Sequence, residues 1–528
     1  MKPKPVTPQE LDIMLADGGE LALVDVREEL IFSRAHLLFA RSIPLSRLEL
    51  NFARLVPRRS TRIVLCDDDG SMSERAASVL FAAGYSNIGI LHRGLSGWSN
   101  AGLAVFSGVN VPSKAFGEFI EHSDATPSIT ADELDRMLRN GDDVVVLDSR
   151  PFEEYQRISI PTGIDVPGAE LVLHIRDLAP SPDTTVVVNC AGRTRSIIGA
   201  QSLINAGVPN KIVALRNGTM GWSLAGRMCE SGQTRRAPAP SPESTAWAKS
   251  AAERVARRFK IPRIDVDTLA KFRADANRTV YLFDVRDPAE YEAGYFPGTL
   301  SAPGGQLVQA TDQYVGTLGA RIVLVDDAEV RAVMTASWLR QMGWQDVFVL
   351  ADGGSELGDP PVELLGALPA ELRIDCAELA ALKNREQATI VDVSLSREYR
   401  KGHIPGAWFA IRSRLALTLA HTIPLKGTLV FTSEDGMLGG FAARDAAGYI
   451  ASPVRYLEGG NAAWKNAGHA LTSQQPLMAD EPVDTWLKPY ERPGDPTKAM
   501  QEYLTWEVDL LQRIKQDGTA RFAQFPAA

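Results

Sequence analysis

The sequence predicts an α/β protein of four tandem domains, each a mainly parallel sheet flanked by helices, followed by a C-terminal helical tail. Three observations lead there. The chain has 528 residues, too many for one ordinary core. An apolar strand ending in Asp recurs as Val24-Asp25-Val26-Arg27, Leu147-Asp148-Ser149-Arg150, Phe283-Asp284-Val285-Arg286 and Val391-Asp392-Val393-Ser394. Each copy then continues with a second apolar run, a loop, a helical pattern and a short strand into a glycine-bearing turn. That alternation marks small, mainly parallel α/β domains. The repeat spans about a hundred residues, the size of a domain and not of a solenoid unit.

Taken in order, the first strand is followed in three copies by Glu153…Tyr155, Glu290-Tyr291 or Glu398-Tyr399. A Gly-His-Ile-Pro-Gly-Ala element comes next, clearest at residues 402–407. It is eroded to Ala35-His36-Leu37 in the first copy, Ile158-Ser159-Ile160-Pro161-Thr162 in the second and residues 294–298 in the third. The strand–loop–helix pieces are 63–84, 186–207, 322–343 and 429–448. The closing turns are Gly94 to Trp98, Gly218 to Trp222 and Gly459 to Trp464, while the third copy keeps Gly353-Gly354 without the tryptophan.

The expected domains are therefore 1–108, 123–231, 257–357 and 370–475. Residues 109–122 form a short bridge. An Ala/Pro/Ser-rich linker with a helix occupies 232–256, that helix being expected over 246–259. Residues 358–369 join copies three and four. The tail, 476–528, is expected to carry an amphipathic helix over 497–516. Its apolar residues Trp506, Val508, Leu510, Leu511 and Ile514 would dock on the protein's own body.

Hydrophobic content of 45% and charged content of 23% are those of an ordinary globular chain. No apolar run is long enough for a membrane span, and Met1 to Pro5 open no secretory leader. Cys66, Cys190, Cys229 and Cys376 form neither a disulfide framework nor a CxxC or Cys/His metal motif, so a reducing cytoplasm is expected. The net charge of −9 argues against a nucleic-acid surface, though not against a small anion met by local arginines.

The chemistry is placed at Cys190. The β-branched run Val186-Val187-Val188-Asn189 ends at the cysteine, Ala191-Gly192-Arg193-Thr194-Arg195-Ser196 follows, and Ile197, Ile198, Ala200, Leu203 and Ile204 then recur at helical spacing up to Gly207. Loop N–H groups and the positive end of the helix should face the sulfur. A free thiol ionises near ~8.5, and a helix N-terminus with Arg193 and Arg195 beside it favours the thiolate. Gly207 lies 17 residues after Cys190, and the same step back from Gly84 and Gly343 reaches Asp67 and Asp326. The fourth copy offers Thr432 or Ser433 there. Cys66 falls one position early, inside the strand, as a buried thiol. Copies one, three and four are expected to be inactive.

Together these motifs resemble the rhodanese sulfurtransferases, and more closely those bacterial forms with four modules of which only the second carries the cysteine. The resemblance implies Cys190 as nucleophile and Ala191, Gly192, Arg193, Thr194, Arg195 and Ser196 as the active-site loop. It implies ping-pong transfer of sulfane sulfur from a small anionic, thiosulfate-like donor, through a Cys190 persulfide, to cyanide, a thiol or a protein acceptor. No metal or organic cofactor is needed. The six-residue span from Cys190 to Arg195 resembles sulfurtransferases, whereas phosphatase and arsenate-reductase relatives have a longer loop. The loop matches neither the thiosulfate-type nor the mercaptopyruvate-type sequence, which leaves the donor open.

Asp148 and Arg150 read as a structural tie between strand and loop, and Trp222 as core filling against the turn glycines. Polar neighbours suit an exposed Cys229, with a resolving role as the minor reading. The histidines form no cluster that would support a Cys–His dyad. A monomer or dimer is expected, without nucleic acid or membrane. The competing class is a scaffold or sensor that binds reactive sulfur or a sulfur-metabolising protein.

Overall fold

The computed structural model describes residues 2–351 and 364–526. Its central strands are short runs of branched residues, almost wholly buried, as strands covered on both faces require. In the second domain the order across the sheet is Ser128–Ile129, Ile212–Leu215, Thr185–Asn189, Val144–Asp148 and Ile164–Asp165. The same order recurs in the other three sheets, with Leu477–Met478 added as a sixth strand to the last. The strands pair in parallel throughout the four sheets. The expected four-domain α/β architecture is the one observed. The Gly353-Gly354 turn and residues 358–363 of the 358–369 connection lie outside the described residues.

The recurring motif letters are tied together by three sets of hydrogen bonds. Arg27, Arg150 and Arg286 each fork onto the Asp two residues before, then donate to the carbonyl eight residues on, Ala35, Ile158 and Gly294, at 2.7, 2.6 and 2.6 Å. The hydroxyls of Tyr155, Tyr291 and Tyr399 also donate eight residues on, to the carbonyls of Gly163, Thr299 and Ala407. The indoles of Trp98, Trp222 and Trp464 donate to carbonyls six residues on. All of these acceptors are backbone oxygens. The turn therefore keeps its shape while its side chains erode, as they have at Ile158 to Thr162. Asp148 and Arg150 make the structural tie expected of them, and Trp222 is buried in its domain core.

Two connecting segments differ from expectation. The 109–122 bridge is the helix Val111–Ser123, with Val111, Ala115, Phe116 and Ile120 buried; Pro112 sits in its first turn, where a missing N–H costs nothing. The linker helix runs Pro242–Arg258, four residues earlier than the composition suggests, because Ser241 accepts from Ser244 N–H and Pro242 follows the cap. Residues ahead of it are strapped down as well, Ala237 N–H bonding to the Asp165 carbonyl. A stripe of Ala248, Ala251, Ala252 and Ala256 lets this helix lie close between the second and third domains, whose apolar interiors form one continuous core.

Buried polar contacts also tie the domains together. Glu49 of the first domain, 1% exposed, accepts from Arg412 of the fourth at 2.6 and 2.8 Å and from Arg444 at 2.8 Å. Tyr281 of the third domain donates to the Leu55 carbonyl of the first, and Glu170 of the second pairs with Arg331 of the third at 2.7 Å.

The tail returns across the whole assembly. Val483 O accepts from Leu30 N–H, and Trp486 N–H donates to Glu29. The helix Pro496–Asp517 then packs on Val111–Ser123. Its buried stripe includes residues 500, 504, 507, 511 and 514, one face of a helix, and leaves Val508 exposed, contrary to the sequence reading. Phe522 packs on Phe116 and Phe119, and Phe525 on Phe259. Among the described residues no helix is long and apolar enough to cross a membrane.

Removing Arg412 strands the Glu49 carboxylate at the interface between the first and fourth domains. Arg412→Ala is expected to cost about 3–5 kcal/mol in urea unfolding, and the double change Glu49→Leu, Arg412→Leu clearly less. Equal costs would show that the pair carries no such coupling.

Candidate active site

Strand register identifies the equivalent positions without reference to loop length. Asp25, Asp148, Asp284 and Asp392 lie opposite Cys66, Asn189, Val325 and Thr432. The next residues, Asp67, Cys190, Asp326 and Ser433, therefore occupy one place in four domains, which selects Ser433 over Thr432. The glycine turn explains its own sequence here. A Cβ on Gly94, Gly218 or Gly460 would stand 2.2, 2.3 or 2.0 Å from the carbonyl oxygen of Asp67, Cys190 or Ser433, and each glycine has a positive φ. In the second domain the turn also holds the loop, Thr219 N–H bonding to the Cys190 carbonyl at 2.8 Å and Met220 N–H to that of Ala191 at 3.0 Å.

Cys190, 2% exposed, follows the strand Thr185–Asn189, and the helix Thr194–Ala206 begins four residues later. Thr194, Arg195 and Ser196 thus belong to its first turn, where backbone N–H groups have no partner within the helix. The thiol donates to Ser196 Oγ at 3.5 Å, and Ser196 Oγ donates to the Arg193 carbonyl at 2.7 Å.

The loop side chains are held from outside. The Arg193 guanidinium donates to both Glu118 oxygens at 2.6 and 2.8 Å, to Glu121, and to Asn217 at 3.2 Å. Thr194 Oγ1 donates to Glu507 of the tail helix at 2.7 Å, whose charge is balanced by Lys114 Nζ at 3.4 Å. Gly117 allows this approach, since a Cβ there would meet Thr194 at 2.8 Å. Gly192 lies beneath Met220, Glu507 and Tyr503. Arg195 pairs with Glu154 at 2.9 Å and reaches Gln306 of the third domain at 3.2 Å, while Lys488 of the tail reaches the same Glu154 at 3.0 Å.

These contacts set the charges. Burial would raise Glu154, but Arg195 and Lys488 outweigh it and hold the carboxyl well below the usual range. Burial pushes Glu118 up to about 7, against the pull of Arg193 and with help from Glu507 and Glu121. Burial, followed by the Glu154 charge, pushes the Tyr490 hydroxyl up to about 12.

Cys190 opens onto a cavity of about 730 Å³ walled by all four domains and the tail, including Arg47, Cys190, Gln306, Arg397 and Trp486. Arg193 and Arg195 line it but are ion-paired, where the sequence suggested two uncommitted cations. Glu118, Glu121, Glu154, Lys488 and Glu507 escaped the sequence reading, four of them because they lie outside the repeats. A trace existed for Glu507, a carboxylate within the apolar face of its helix.

In the other domains the equivalent side chain uses its own loop. Asp67 accepts from the N–H groups of Gly70, Met72 and Ser73 at 2.5, 2.7 and 3.0 Å. Asp326 accepts from Arg331 and Ala332 N–H at 3.2 and 3.4 Å, and Ser433 Oγ from Gly439 N–H at 3.3 Å. Cys66 is buried in its strand, and burial pushes its thiol well up. Cys229 is half-buried against the second domain's core instead of exposed, and burial raises its thiol too.

A family model described as "Rhodanese-like domain" matches residues 7–101, 130–225, 265–357 and 375–467. The chain belongs to the rhodanese family. Its rhodanese domains are arranged as in the crystal structure of a thiosulfate sulfurtransferase from Pseudomonas aeruginosa. That protein is 46% identical, with a TM-score of 0.96 over 99% of this chain and 100% of that one. An uncharacterized protein of Synechocystis sp. is 36% identical over 107 residues, 20% of this chain; the match spans 58% of that relative's length.

Two outcomes test this rhodanese site. Gly218→Ala should displace the Cys190 loop and lower Cys190 alkylation by about tenfold or more. Gly226→Ala, also at positive φ but with no atom within 4 Å of the added Cβ, should leave alkylation near wild type. Burial pushes the Asp326 carboxyl up to about 7 despite Arg331. Folding therefore favours its protonated form, and that contribution is lost as pH rises from the unfolded value near ~4 through about 7. Asp326→Asn should gain on wild type between pH 5 and pH 8, by at most about 3 kcal/mol; a constant offset in thermal unfolding at the two pH values would refute this.

Proposed function

We propose that this protein is a sulfurtransferase with one catalytic centre, Cys190, and that Asp67, Asp326 and Ser433 leave the other domains without a nucleophile. The Cys190 thiolate attacks the sulfane sulfur of a thiosulfate-like donor. The new S–S bond forms as the donor's bond breaks, and its electron pair leaves with sulfite. An acceptor nucleophile (cyanide, a thiol or a protein thiol) then takes the outer sulfur, and the pair in the Cys190 S–S bond returns as thiolate.

The observation that carries this reading is the position of Cys190: a cysteine at the end of a buried strand, at the start of the helix Thr194–Ala206, facing a cavity of about 730 Å³. First-turn N–H groups and the helix dipole favour the thiolate and the persulfide anion. Arg195 and Lys488 share one carboxylate, Glu154, which leaves positive charge beside the sulfur for an oxyanion. Arg193, clamped by Glu118, holds the loop in shape. The 46% identity to a thiosulfate sulfurtransferase over 99% of the chain supports the same reaction class. A reducing cytoplasm suits four unpaired cysteines.

The test is intact-protein mass after thiosulfate and after mercaptopyruvate, for wild type and Cys190→Ser. A gain of one sulfur in wild type alone, removed by cyanide, is expected. No gain from either donor, or a gain that persists in Cys190→Ser, would overturn the assignment.

A further inference from the structure

The helix Leu48–Leu55 of the first domain is buried along one side through Leu48, Phe52 and Ala53, and Glu49 locks it to the fourth domain. Its other side carries Arg47, Asn51 and Arg54, spaced four and three residues apart and so aligned on one face. All three line the cavity that Cys190 faces. The other cations on that wall are already ion-paired: Arg195 and Lys488 with Glu154, Arg157 with Glu491, Arg193 with Glu118. Among the described residues, no carboxylate oxygen lies within 4.0 Å of either the Arg47 or the Arg54 guanidinium. The two acids that feel the Arg47 charge are satisfied elsewhere: Glu28 accepts from Ser46 and Ser413, and Glu29 from Trp486 N–H. Among the described residues, Arg54 donates its hydrogen bond to Asn51 Oδ1, at 3.4 Å, and its charge is felt by the Tyr314 hydroxyl of the third domain.

We propose that Arg47 and Arg54 form a second anion site, one that binds the carboxylates of an organic thiol acceptor while its sulfur meets the Cys190 persulfide. The inference rests on the sulfurtransferase reading and names the substrate class. Guanidiniums are built for bidentate carboxylate recognition. A cavity of about 730 Å³ has the size of sites for peptide-like organic molecules, whereas thiosulfate, little larger than sulfate, would leave most of it empty. Thiosulfate also concentrates its charge next to the sulfur it donates, so it has no use for an anion site on another domain.

The step balances without a further reactant. The acceptor thiol loses its proton to solvent, its thiolate attacks the outer sulfur, and the S–S bond to Cys190 breaks. The acceptor leaves as a persulfide and Cys190 is again a thiolate. The first domain, whose own loop is filled by Asp67, would thus supply recognition to a reaction carried out in the second.

Wild type and the double variant Arg47→Gln, Arg54→Gln are loaded with thiosulfate and discharged by glutathione, which carries two carboxylates, by cysteamine, which carries none, and by cyanide. The ratio of kcat/KM for glutathione to that for cyanide should fall about tenfold or more in the variant, mostly through KM. The cysteamine-to-cyanide ratio should stay as in wild type. An unchanged glutathione ratio, or an equal fall in the cysteamine ratio, would overturn the proposal. S-methylglutathione, which cannot accept sulfur, should protect Cys190 from alkylation in wild type and not in the variant; equal protection in both would also overturn it. Failure of wild type to load sulfur would instead remove the sulfurtransferase reading, and the protection arm would still decide on the anion site.

Discussion

Three carboxylates from outside the repeats hold the Cys190 loop: Glu118 and Glu121 on Arg193, and Glu507 on Thr194. Much else follows from this. An oxyanion-binding loop works only if its N–H groups keep their aim with nothing yet bound, and a short glycine-containing segment does not hold such a shape alone. Here the guanidinium that the loop motif presents is spent on rigidity. The price is a buried cluster of acids that Arg193 and Lys114 must keep compensated. The cations left beside the sulfur are Arg195 and Lys488, drawn together by Glu154.

The four domains show what the same frame does with a different residue at one position. Asp67 satisfies three N–H groups of its own loop with its own oxygens, so that loop is closed upon itself. With Cys190 the thiol meets Ser196 Oγ instead. The domains without a nucleophile are not spare parts. The first offers Arg47 and Arg54 to the cavity, the third Gln306 and the fourth Arg397, so the cavity that Cys190 faces has four contributors to its walls.

The fold was legible in the sequence because the chain repeats itself, and each copy served as a control for the others. The spacing from Cys190 to Gly207 found Asp67 and Asp326, and strand register leads to the same residues. The fourth domain was ambiguous because its helix, Met437–Ala447, is shorter than Thr194–Ala206 and brings its closing glycine, Gly448, nearer to the strand; register was needed to choose Ser433. What lay between and after the repeats was read poorly, having no second copy. Residues 109–122 were read as a short bridge and hold the helix Val111–Ser123. In the tail, Val508 looked apolar enough to dock and is exposed, while Glu507 beside it is buried against the loop. The ion-pair partners of the loop arginines were not seen because they are far off in sequence: 75 residues for Glu118 and 41 for Glu154.

The position of Glu507 and Lys488 in the chain also orders events in time. Domains emerge from synthesis from the N-terminus onward and fold as units. The strand, the cysteine and the helix behind it are complete long before residue 507 exists. Until the last fifty or so residues arrive, Thr194 lacks its carboxylate and Gly192 lies uncovered. The surroundings of Cys190 are therefore finished after the four domains, although its own strand and helix are built early, and a chain that stops before residue 488 carries four folded domains around a sulfur without this cover.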